Sequence, residues 1–178
     1  MLSECALLVA ALAIGRLLGL HPFAHVHIDA AAAAYGLAAT LPMLLVLWWC
    51  LRTSWAPVRR LVSLVEDFLR PYLRGASIGG IVLLSFMAGI GEEALFRGVI
   101  QAALAERLPG WIAVAIAALL FGAADWLTPS YALLAGLIGV YLGVVFLLTE
   151  NLLVPIAAHG LYDVVALSVL ARSQRRPG

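Results

Sequence analysis

The chain has 178 residues, 64% of them hydrophobic and 12% charged, with a mean hydropathy of +1.04, whereas a water-soluble domain holds about 45–50% apolar and about 25% charged residues. This excludes a soluble globule and, at about 20 apolar residues per bilayer crossing, leaves room for about six crossings with short connections. The net charge is +1 and all 11 basic residues are arginine, so no basic surface exists on which nucleic-acid binding would rest.

The first apolar run covers residues 2–20. It lacks a basic leader and an A-x-A site after the apolar stretch, and so reads as a retained span rather than a signal peptide. Its Arg16 is expected to snorkel or to face the bundle. The connection that follows carries His21, Pro22, His25, His27 and Asp29. Its imidazoles could hold a transition metal, although Pro22 argues against a helix aligning His21 with His25, and a solvated loop is the plainer reading. A second span covers residues 30–51. Residues 58–70 then alternate apolar and charged faces at helical spacing before Pro71, which predicts a helix lying along the membrane interface. A connector anchored to headgroups is the simpler role for it, and gating of substrate the other. Further spans are predicted at 78–104, 111–124, 131–148 and 152–170.

With six spans, Arg52, Arg59, Arg60, Arg70, Arg74, Arg172, Arg175 and Arg176 all fall on the side shared by both termini, and Arg107 alone on the other. The positive-inside rule then puts both termini in the cytoplasm. Cys5 and Cys50 lie near that reducing face and form neither a disulfide framework nor a metal-ligand spacing. Trp48, Trp49, Trp55, Trp111 and Trp126 fall near predicted span ends, where interfacial aromatics belong.

Charged groups inside spans cost at least about 2.5–3.5 kcal/mol each on insertion scales and need a partner, water or a function. Glu93 and Arg97 are four apart in the favourable acid-before-base order and read as a packing clamp. Glu92 points about 100° away round the helix, outside that clamp, which makes it a candidate to accept and return a proton. His159 and Asp163, again four apart, share one face of the last span. They could converge on one substrate group, or the acid could orient the imidazole. Asp125 ends the fourth span, and alone it reads as a helix-end acid near the interface.

Glu92-Glu93-x-x-x-Arg97, Phe121-x-x-x-Asp125 and His159-x-x-x-Asp163, in that order on apolar helices, with the run from Tyr141 to His159 leading into the last, resemble the CPBP family. This is the CAAX-protease and bacteriocin-processing (Abi) group of intramembrane endopeptidases, with the pattern E-E-x-x-x-R, F-x-x-x-H and H-x-x-x-N/D. The resemblance covers roughly residues 78–170. It implies a helical bundle whose site lies inside the membrane and cuts peptide bonds near a substrate's membrane-embedded or lipidated end. By the same resemblance Glu92 and the second-motif residue activate water, Glu93 and Arg97 brace the helix, and His159 with residue 163 stabilises the oxyanion. The departure is Asp125, which stands where the family has histidine. It loses a nitrogen ligand and adds a carboxylate, which disfavours zinc. Three readings stay open: a Glu92/Asp125 carboxylate dyad sharing a proton, an oxygen-rich divalent site of Glu92, Asp125 and His159, and lost activity.

The expectation is therefore an all-α polytopic membrane bundle of about six transmembrane helices plus an interfacial amphipathic helix. Residues 1–75 would hold two spans and the connector, 76–171 the catalytic core and 172–178 a basic tail. The expected function is an intramembrane peptidase of the bacterial inner membrane, with no certain cofactor beyond a possible divalent metal. Its partners would be the bilayer and a membrane-protein or lipidated-peptide substrate. An inactive membrane binder or immunity protein, and a proton-coupled carrier using the same carboxylates, are the rivals.

Overall fold

The structure is a computed structural model and describes residues 2–173. Arg175 and Arg176, counted above toward topology, and most of the expected basic tail lie outside the described residues. Those described form seven helices and no strand. They are α1 (Leu2–Leu18), α2 (Ala30–Arg52), α3 (Ala56–Leu73), α4 (Ile78–Ala105), α5 (Gly110–Ala124), α6 (Pro129–Thr149) and α7 (Leu153–Ser173).

Local chemistry explains where they start and stop. Asp29, Ser77 and Thr128 are N-caps whose side-chain oxygens accept from Ala32 N, Gly80 N and Tyr131 N, satisfying N–H groups that a first turn leaves open. Pro57 and Pro129 sit in first turns, where their missing N–H costs nothing. Gly19 and Gly75 take positive φ after α1 and α3, as residues without Cβ do at helix ends.

α2, α4, α6 and α7 are long and apolar enough to cross a bilayer, while α1 and α5 are apolar but shorter. The expected bundle is present, with this difference in length: the 15 residues of α5 rise only about 22 Å, short of the roughly 30 Å hydrocarbon core. α5 is therefore too short to cross that layer by itself. Arg16 lies exposed in the last turn of α1, directed away from the bundle. All five tryptophans are exposed.

Apolar side chains make these helices membrane-compatible, but in lipid they do not drive helix association; close packing and interhelical hydrogen bonds do. α4 packs against α1 and α7, α2 lies along α7, and α5 pairs with α6. Gly89 on α4 faces Gly160 on α7 so closely that a Cβ at 89 would lie 3.2 Å from Gly160 N. That crossing brings the acids of α4 to the histidine of α7.

α3 is the amphipathic helix expected between the second and third spans. Arg59, Arg60, Asp67 and Arg70 are exposed, with Arg70 paired to Asp67 at 3.1 Å. Its opposite face does more than lie on a surface: Leu61, Val65 and Leu69 line the central cavity of the bundle.

A clasp holds the loop after α1. The buried Asn151 Oδ1 accepts from His27 N (3.1 Å) and Leu153 N (3.0 Å), its Nδ2 donates to His27 O (2.8 Å), and Leu152 N donates to His25 O (2.8 Å). Asn151→Ala should cost about 1–3 kcal/mol, the desolvation of backbone groups left unpaired. It should be read as a lowered melting midpoint and faster proteolysis within residues 20–29; an unchanged midpoint would show the clasp to be idle.

Candidate active site

The site is built around one buried carboxylate. Glu93 and Arg97 are fully buried and His159 nearly so. Glu93 Oε1 accepts from Arg97 Nη1 at 2.8 Å and faces His159 Nδ1 at 2.9 Å. A carboxylate accepts and does not donate, so Nδ1 is the nitrogen that carries a proton toward Glu93. Arg97 uses a second arm to donate from Nη2 to Gly139 O on α6 at 2.8 Å, and its guanidinium lies 4.8 Å from the Phe121 ring centroid.

Phe121, the first residue of the second motif, ties the parts together. Its ring meets Phe96 edge-on at 5.0 Å and His159 at 6.2 Å. Arg97 belongs to a six-residue π-helical stretch, Phe96–Gln101, inside α4; such a wider turn re-aims side chains and recurs at functional sites. From its last residue, Gln101 Nε2 donates to Gly143 O at 3.0 Å. Arg97 and Gln101 thus reach two carbonyls one turn apart on α6. A Cβ at 143 would come within 2.9 Å of Gln101 Oε1, so a side chain there would displace the Gln101 amide.

The other ring nitrogen opens on the cavity. His159 Nε2 lies 3.9 Å from Glu92 Oε2 and 3.6 Å from Asp163 Oδ2. Both gaps exceed hydrogen-bond length, so a proton on Nε2 can serve a third group between them. Glu92, Asp125, His159 and Asp163 line one chamber of roughly 370 Å³, walled otherwise by mostly apolar residues of α2, α3 and α6. Asp125 is the C-cap of the short α5, and from that helix end it lines the same chamber as Glu92.

Residues 74–165 match the family model described as type II CAAX prenyl endopeptidase, Rce1-like. The chain belongs to this family. No curated protein and no solved structure is significantly similar to it. The Rce1-like family is one of CAAX-type intramembrane endopeptidases, in agreement with the three motifs and the helical membrane architecture.

Within this Rce1-like chain the structure assigns the contact at Nδ1 of the imidazole to Glu93 from α4, with Asp163 on the opposite nitrogen. Glu93 serves both Arg97 and His159, so the clamp is also a ring anchor. The His21–Asp29 loop does not form a metal cluster. His21 Nδ1 accepts from Phe23 N (3.2 Å), the His25 ring packs 5.9 Å from Phe146, and Asp29 caps α2. Among the described residues no three His, Cys, Asp or Glu side chains are arranged to hold a metal ion. Glu92, Asp125 and His159 are not grouped in that way either. Sequence reasoning missed the tie made by Gln101 and did not single out Tyr131 and Ser85, which line the chamber. The matched four-residue spacings of Arg97/Gln101 and Gly139/Gly143 were a signal for the first; nothing local marks the other two.

Proposed function

We propose that the chain hydrolyses a peptide bond of a membrane-associated or lipidated protein, with Glu92 as the base that activates water. One observation carries this reading: the charged lining of an otherwise largely apolar chamber consists of Glu92, Asp125, Asp163 and His159. A water molecule there has a carboxylate to take its proton, and the histidine faces the same space.

Glu92 takes a proton as the water oxygen bonds to the carbonyl carbon, and Asp125, which lines the same chamber, shares that proton in a dyad whose two carboxylates would not both stay ionised cheaply. The carbonyl π electrons move onto oxygen, and the oxyanion is met by Nε2–H of His159. As the C–N bond breaks, the proton held by the dyad passes to the leaving nitrogen. Each ring nitrogen faces a carboxylate, which suits an imidazole bearing both protons. Glu93, Arg97 and Asp163 act through the ring rather than on the substrate. The leucine and valine walls under α3 suit a lipid-bearing or apolar substrate end, in keeping with the prenyl endopeptidases for which the family is named. The arginine distribution favours both termini on the cytoplasmic side of the membrane, and a bacterial inner membrane is the proposed setting.

The rival, an inactive binding or immunity protein, is favoured by Asp125 in place of histidine. Cleavage of a prenylated CAAX reporter peptide by the purified protein decides between them. If Glu92 and Asp125 form a dyad, Asp125→Asn abolishes turnover, Asp125→His retains part of it, and a chelator has no effect. An active Asp125→Asn variant sinks the dyad, and chelator loss repaired by a divalent ion replaces it with a metal site.

A further inference from the structure

We propose that Tyr131 is a catalytic residue of this site, its hydroxyl donating to the oxyanion as the second donor beside His159. The inference rests on the peptidase reading above.

A tetrahedral oxyanion needs donors, and few remain in this chamber. Arg97 is committed to Glu93 and Gly139 O, and Gln101 Nε2 to Gly143 O. Asp163, four residues after His159, is an acceptor when ionised and offers no N–H, unlike the asparagine that pattern also allows. Nε2–H of His159 would act alone.

Tyr131 lines the same chamber as Glu92, Asp125, His159 and Asp163. It is the third residue of α6, after Pro129, and its backbone N–H is held by the Thr128 hydroxyl at 3.2 Å, so the side chain leaves a fixed first turn. Asp125, the C-cap of α5, and Tyr131, in the first turn of α6, flank the same short turn and both line the chamber. The other hydroxyls of the chamber are less suited. Ser85 is two turns before Glu92 on α4, about 10 Å along the axis. Tyr162 packs in the apolar cluster of Ala39, Met43 and Ala158, and Tyr72 is largely exposed. During attack the Tyr131 O–H donates to the new oxyanion and keeps its proton; the water proton still goes to Glu92 and then to the leaving nitrogen, so the balance of the reaction is unchanged.

The test uses the full-length protein and the prenylated CAAX reporter. Removing one oxyanion donor costs about 10²–10³ in kcat, so Y131F should lose that factor with KM within a few-fold and its melting midpoint kept. Y141F, which removes a hydroxyl bonded to Ala39 O outside the chamber, should leave kcat unchanged. Y131H, which keeps a donor on an aromatic ring, should be more active than Y131F. A kcat for Y131F near wild type, or Y131H no better than Y131F, overturns the assignment. E92Q is measured in parallel: if it turns over normally, the peptidase reading of this chamber falls, whereas an inactive E92Q with an unimpaired Y131F removes Tyr131 alone.

Discussion

Replacing Glu92 by glutamine is expected to reduce turnover at least about 10³-fold while leaving the fold in place, a loss within the range of a positioned general base. Glutamine has the shape of glutamate and neither its charge nor its basicity. The buried ion pair that organises the helices is made by the neighbour, Glu93, with Arg97 at 2.8 Å, so E92Q leaves that pair intact. The Glu92 side chain is 15% exposed to the chamber against 0% for Glu93, which separates a group that meets water from one that holds the structure. The check is a progress curve on the reporter peptide beside a melting curve in the same detergent. A dead enzyme with an unshifted midpoint is the expected result; wild-type turnover would remove Glu92 as the base. A proton-coupled carrier predicts instead that wild-type protein, and not E92Q, acidifies liposomes on uptake of solute.

The helices and the cost of their charges were readable because both are local. Hydropathy finds runs of about 20 residues, and an acid four residues before a base has one geometric consequence on a helix. That rule reports only partners on the same helix. It could pair Glu93 with Arg97 but not with His159, 66 residues away, and so gave Glu93 half of its role. The amphipathic pattern of α3 likewise showed that one face would be covered without showing that the cavity lies beneath it. For Asp125 no local rule sufficed: a helix-end acid reads as interfacial, and only the packing of α5 against α6 brings it to the wall of the chamber that holds Glu92 and His159. The π-helical turn at Phe96–Gln101 leaves no mark in composition, because it is a change of hydrogen-bond register rather than of residue type.

The second large effect belongs to Arg97 and separates stability from catalysis. Arg97→Met keeps an unbranched apolar chain but leaves the Glu93 carboxylate without its guanidinium, with one oxygen, Oε2, already lacking a partner. It also removes the bond to Gly139 O that joins α4 to α6. Breaking one side of a buried pair costs about 3–5 kcal/mol, because an uncompensated charge stays behind. The midpoint should fall accordingly, and activity with it. The double variant Glu93→Leu/Arg97→Met removes both charges, and replacement of a buried pair by apolar residues of similar volume is often neutral or stabilising. Its midpoint should recover most of the loss. Activity should not recover, because His159 then has no acceptor at Nδ1 to hold its ring with Nε2 toward the chamber. If the pair were only a packing clamp, the double variant would regain turnover together with stability; if Glu93 anchors the histidine, stability returns and turnover does not.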